Sequence, residues 1–202
     1  MKVIEQLLAN AGISPIAGVD EAGRGACAGP LVIASVVLND PFAPELAVVR
    51  DSKEIAENKR DAVFDLIYQV AASVSVVIVP ASEVDARGVH AANLDGMRRA
   101  VQGLTVEPAY VLTDGYAIEG LGVPNLAVWK GDQVVVSISA ASVIAKVTRD
   151  RIMREMDLEF PHYGFAGHKG YITAAHTKAL NEYGPCAQHR RSFANVAALI
   201  HK

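Results

Sequence analysis

The stretch GVDEAGRGACAGPLVIASVVL, residues 18–38, constrains this chain more than any other. Asp20 and Glu21 end one apolar run, glycines at 23, 25 and 29 and Pro30 follow, and a second apolar run begins at Leu31. Carboxylates inside an apolar strand are costly unless they are paired or bound to a metal. Adjacent strand residues also point to opposite faces. Both acids can therefore serve one site only if the strand twists or breaks there, or if Glu21 uses its backbone carbonyl. The glycines make such a break feasible, because glycine enters left-handed conformations without steric penalty.

The rest of the chain alternates between two periodicities. An amphipathic helix is expected over residues 2–10, strands over 16–21 and 31–38, a helix after the entry signal DSK at 51–53 and running to 70, and a strand in VSVVIVP at 74–80. Helices are expected at 81–86 and 90–103, and short strands in AYVLTDG (109–115) and LAVWKGD (126–132). The strongest helix covers 137–160, with further helices at 173–183 and 193–200. This order predicts an α/β fold, a mixed β-sheet flanked by helices with a C-terminal helical segment.

Hydrophobic residues at 51% against 20% charged allow a proper core and exclude disorder. A net charge of −3 argues against a broadly basic nucleic-acid coat but leaves room for a local basic groove. Cys27 and Cys186 form no CxxC pair and read as reduced thiols of a cytoplasmic protein. The opening residues MKVIEQLLANAG mix polar side chains into the apolar positions, unlike a signal peptide, and LVIASVVL is too short to span a bilayer. No membrane association is expected, and without an exposed apolar repeat a monomer is expected.

Three acids share one context. Asp20 ends a strand, Asp114 ends AYVLTDG, and Asp132 follows LAVWKG. Ligands of open α/β sheets gather at the carboxyl ends of strands, so three such ends can bring distant acids into one cleft. Ionised carboxylates held together need a cation, and oxygen ligands alone favour Mg²⁺ or Mn²⁺ over zinc. Two such ions can clamp a phosphodiester, activating water on one side and stabilising the leaving oxygen on the other. Taken singly, Asp114 and Asp132 read first as turn or capping residues, and only their shared context favours a site.

Residues 23–28, GRGACA, fit G-x-G-x-x-[GA], but a dinucleotide loop must open a helix. Here Gly29-Pro30 leads into a β-branched run, which excludes that reading, and no phosphate-binding G-x-x-x-x-G-K-[ST] exists. Arg24, between two glycines, is placed either to meet a phosphate or sugar edge or to sit solvated on a plain tight turn.

GVDEAGRG, DSK at 51–53, TDG at 113–115, KGD at 130–132, SAASVIAKVTRDR at 139–151 and HKGYITAAH at 168–176, in this order, together resemble ribonuclease HII, the type 2 ribonuclease H. The matching blocks are spread over about residues 16–192. The resemblance implies a ribonuclease H-like fold and an endonuclease dependent on Mn²⁺ or Mg²⁺. Its substrates would be RNA paired with DNA and single ribonucleotides embedded in duplex DNA. Cleavage would be a two-metal hydrolysis leaving 5′-phosphate and 3′-hydroxyl ends. The family's four acids map onto Asp20, Glu21, Asp114 and Asp132. Gly23, Arg24 and Gly25 would read the ribose 2′-hydroxyl, the group that distinguishes RNA from DNA, and Tyr171 would pack on the deoxyribose beyond it. On this basis residues 1–160 are expected to form the catalytic domain and 161–202 a helical segment completing the substrate groove.

Lys53, Lys146, Lys169 and Arg190 are candidate phosphate contacts, with solvated surface charge as the default for each. The helix over 137–158 carries Lys146, Arg149 and Arg154 away from its apolar stripe, where they could face a duplex. Asp150 is expected in a helix-surface ion pair. His168, His176 and His189 lack ligand spacing or a paired nucleophile and are expected to be packing or surface residues. A junction resolvase of the same fold and a non-catalytic binding module are the alternatives; the glycine turn and HKGY oppose the first, and the intact acids oppose the second.

Overall fold

The structure, a computed structural model, describes residues 3–49 and 55–200. The helix-entry signal at 51–53, including Lys53, lies outside the described residues. Five strands form one sheet: β1 (Ile16–Ala22), β2 (Leu31–Leu38), β3 (Ala71–Val79), β4 (Tyr110–Asp114) and β5 (Asn125–Val128). Their spatial order is β3-β2-β1-β4-β5, antiparallel across β3-β2-β1 and parallel across β1-β4-β5. This is the mixed α/β sheet the alternation predicts.

The helices are α1 (Val3–Asn10), α2 (Glu57–Val70), α3 (Ala81–Arg87), α4 (Val89–Gln102), α5 (Gly131–Val134), α6 (Val136–Glu159), α7 (Phe165–His168), α8 (Ala174–Tyr183) and α9 (Ala194–Ile200). Two short helices, α5 and α7, and a 3₁₀ turn at Pro44–Val48 lie outside the expected set. Each is too short to display a helical period.

The two faces of the sheet explain the continuous apolar run of β2. Val32, Ala34, Val36 and Leu38 pack with α2 and α6, while Leu31, Ile33 and Val37 pack with α4 on the other face. A strand covered on both sides is apolar on both faces, and in β2 only the buried Ser35 departs from this. On β1, Gly18 lets the first turn of α6 press against the sheet: a Cβ there would fall 2.1 Å from the backbone carbon of Ser137. Glu5 of α1 is buried and accepts hydrogen bonds from the backbone N–H groups of Val136 (2.9 Å) and Ser137 (3.0 Å). A carboxylate from a distant helix thus satisfies the open donors at the start of α6.

The C-terminal helices build a third apolar cluster, in which Phe165, Leu180 and Val196 pack with Met153 and Met156 of α6 and with Cys27 and Ala28. Among the described residues, no helix is long and apolar enough to cross a membrane.

Candidate active site

The parallel pairing of β1 with β4 sets Gly18 opposite Leu112 and Val19 opposite Thr113, so Asp20 and Asp114 come next on adjacent strands. By the two-residue period both lie on the face covered by α6. β5 is parallel to β4, with Asp114 opposite Val128. Beyond Val128 the chain turns through Lys130, whose φ of 52° is left-handed, into α5, which begins Gly131-Asp132. Gly131 donates its N–H to Asp114 Oδ1 at 2.7 Å, and the carbonyl of Asp132 accepts from the Ser139 hydroxyl of α6 at 2.7 Å. These bonds tie three separate sequence blocks together. One carboxylate oxygen from each of Asp20, Asp114 and Asp132 lies within 4.8 Å of the others.

Glu21 sits beside this trio. β1 continues to Ala22 without a break, so Glu21 is on the opposite face and reaches the cleft from the strand's end. Its N–H donates to Asp20 Oδ1 at 2.7 Å. It is not one of the three acids whose oxygens converge.

Asp20 and Asp132 are buried and Asp114 is half-buried. Burial, then the charges of Glu21 and Asp114, hold the Asp20 carboxyl well above the usual carboxylate range, against a lowering hydrogen bond from Ser142. Carboxylates crowded in this way favour either a shared proton or a cation. An all-oxygen donor set fits a hard divalent ion.

A cavity of about 450 Å³ opens over the acids, and Gly23, Arg24, Gly25, Lys146 and Tyr171 line it. The glycine turn therefore borders the acids, as do two of the expected basic and aromatic contacts. Lys169 is set back: half-buried, with a φ of 52°, its Nζ bonds the Ala166 carbonyl and lies 3.6 Å from Glu57. Lys146 Nζ lies 2.7 Å from Asp150 Oδ1.

Three expectations are corrected. Asp150 does form an ion pair, but in the interior, at 4% exposure. Arg149 does not face outward: it is 1% exposed and donates to the carbonyls of Pro30 (2.9 Å), Lys169 (2.8 Å) and Ala28 (3.1 Å). Arg190 is also buried, so it is no phosphate contact; it donates to the carbonyls of Gly29 and Arg24, both at 3.1 Å. Burial pushes Arg149 below its usual range, and burial with the nearby Arg149 charge brings Arg190 down to about 10. Both remain cations at neutral pH. The turn that presents Gly23–Gly25 is thus fastened from beneath by two guanidinium groups. Gly23 has a φ of +89° and leaves room for Arg149, whose Nε would lie 1.9 Å from a Cβ there.

The histidines are packing residues, as expected, and their hydrogen bonds fix their tautomers. The Cys186 N–H donates to His189 Nδ1 at 3.0 Å, so His189 carries its proton on Nε2. That proton points to His176 Nε2 at 3.0 Å, leaving His176 Nδ1–H to donate to the Tyr171 carbonyl at 3.0 Å. Both rings are buried, which lowers their proton affinity, for His189 to about 4. This neutral pair anchors the Tyr171 loop.

The ribonuclease HII family model matches residues 17–196. Ribonuclease HII of Acidothermus cellulolyticus is 57% identical over 95% of this chain, which spans 62% of that relative. The Rhodococcus opacus enzyme is 55% identical over 100% of the chain and 89% of its own length. Among solved structures, ribonuclease H2 from Pyrococcus horikoshii OT3 superposes with a TM-score of 0.79 at 26% identity, covering 92% of this chain and 97% of its own. The RNase HII in the PCNA:RNase HII complex from Archaeoglobus fulgidus gives 0.78 at 25% identity, covering 88% and 94%. With the family's pattern running through nearly every element from β1 to α9, the chain belongs to the ribonuclease HII family and is a ribonuclease H, a hydrolase.

Proposed function

We propose that this protein is an endonuclease cutting the RNA strand of RNA–DNA hybrids and single ribonucleotides embedded in duplex DNA, by two-metal hydrolysis leaving 5′-phosphate and 3′-hydroxyl ends. The observation that carries this reading is the convergence of Asp20, Asp114 and Asp132 to within 4.8 Å beside a glycine turn whose carbonyls bond buried arginines. The trio, with Glu21 at its edge, would hold Mn²⁺ or Mg²⁺. Bound there, the ions supply charge to stabilise the transition state and lower the pKa of water.

The chain's own groups do the rest. Gly23, Arg24 and Gly25 present backbone and guanidinium to the ribose 2′-hydroxyl, and Tyr171 packs on the neighbouring sugar. Lys146, Lys169 and Lys53 serve the phosphates, and residues 161–202 complete the groove begun by residues 1–160. The reading includes a monomer working in the cytoplasm.

A cleavage assay tests it. Duplex DNA with one ribonucleotide should be cut with Mn²⁺ or Mg²⁺ and spared under chelation, and the all-DNA duplex should be spared throughout. Efficient cutting of all-DNA duplex would remove the 2′-hydroxyl role of the glycine turn.

A further inference from the structure

Trp129, the chain's single tryptophan, is 83% exposed. An indole is normally buried to a large extent, and this one stands on the turn that delivers Asp132. It lines a second cavity, about 550 Å³, with Tyr116, Lys130 and Gln133. Glu21, Arg24 and Asp114 line both this cavity and the one that holds the glycine turn and Tyr171. The acids therefore form a partition with a chamber on each side. A strand cut at the acids must continue past them in both directions, yet Gly23, Gly25, Lys146 and Tyr171, already given contacts, line the first chamber, and Trp129 and Lys130 of the second have none.

The second chamber has the chemistry of a sugar-phosphate backbone site. Arg24 lies over the Tyr116 ring, 4.8 Å from its centroid, and Trp129 is followed directly by exposed Lys130. Aromatic faces interleaved with cations hold nucleic acid through ring contacts and phosphate charge without reading sequence. Lys130 is kept in a left-handed conformation by the turn into α5, so the tryptophan and lysine are presented together from a fixed backbone.

We propose that Trp129 and Lys130 form a binding subsite for the duplex backbone on the side of the cut away from Tyr171, with the indole against a sugar face and Lys130 at a phosphate. This rests on the nuclease reading above. The absence of a second tryptophan makes the subsite directly observable. Duplex carrying one ribonucleotide is titrated into the intact protein with Ca²⁺ in place of Mg²⁺, while indole emission and the anisotropy of end-labelled duplex are followed together. Emission should change with the same midpoint as anisotropy. Of two duplexes truncated on opposite sides of the ribonucleotide, one should bind without changing the emission. Trp129→Ala should raise KM roughly tenfold and lower kcat far less. Duplex that binds and is cut under Mg²⁺ while the emission stays constant overturns the subsite alone. Equal emission changes with both truncated duplexes overturn its one-sidedness. Duplex that neither binds nor is cut overturns the nuclease reading and this inference with it.

Discussion

The two walls of the cleft are built in opposite ways. The wall of Gly23–Gly25 and Tyr171 is fastened from inside: Arg149 bonds carbonyls on both its loops, Arg190 bonds the turn again, and His176 with His189 holds Tyr171. The wall of Tyr116, Trp129 and Lys130 hangs on short connections around β5, with its largest side chain in solvent. Discriminating one hydroxyl demands donors fixed in place before the ligand arrives. Gripping a uniform backbone demands only charge and ring surface. The contrast suggests that selectivity resides in the first wall and grip in the second.

The largest effect belongs to the seam between the walls. Asp20→Asn or Asp114→Asn should lower cleavage by about 10²-fold or more, read as kcat, by removing a metal ligand. Neither should unfold the metal-free protein. The Asp20 carboxyl is raised when folded, so folding takes up a proton, and this group's contribution to stability declines as pH rises from the unfolded carboxylate pKa into the folded one. Asn removes that penalty, so urea denaturation of metal-free Asp20→Asn at neutral pH should show no loss.

On the inner wall, Arg149→Met removes the donor from the buried carbonyls of Ala28 and Pro30 and the part-buried carbonyl of Lys169, and should cost on the order of 3 kcal/mol or more in urea denaturation. His189→Ala should cost about 1–3 kcal/mol by the same logic, since His176 and Cys186 lose their partner. The pH dependence has a definite sign. His189 falls from an ordinary 6.5 to about 4 on folding, so the unfolded chain binds the extra proton. Its stabilising contribution is present above pH 6.5 and is lost as pH drops toward 4; the wild type should lose Tm across that window more steeply than His189→Ala. The outer wall should give the smallest effect: Trp129→Ala should shift stability by less than about 0.5 kcal/mol, as an exposed side chain. An equal stability loss for Arg149→Met and Trp129→Ala would erase the distinction between the walls.

Much of this was legible in the residues. Strand and helix periods marked every long element, because both faces of the sheet are covered and the apolar runs are clean. Asp20 and Asp114 were visible as acids closing apolar strands, and parallel pairing then places them side by side. Arg149 and Arg190 look like outward-facing charges because a sequence shows a charge but not the carbonyls that solvate it in the interior. Asp150 looks like a surface residue for the same reason. The four-residue helix that buries Asp132 is shorter than any detectable period, and Trp129 has no local pattern that marks it as exposed. Ser139 and Ser142, which bond Asp132 and Asp20, leave a faint signal as two hydroxyls spaced three apart in the apolar first half of the long helix.

The central claim is that Asp20, Asp114 and Asp132 act together as one site for a divalent ion. Calorimetric titration of Mn²⁺ into the metal-free wild type and Asp114→Asn at neutral pH tests it most directly. Saturable binding by the wild type, lost or greatly weakened in the variant, is the predicted result. Identical heats from the two proteins would contradict it.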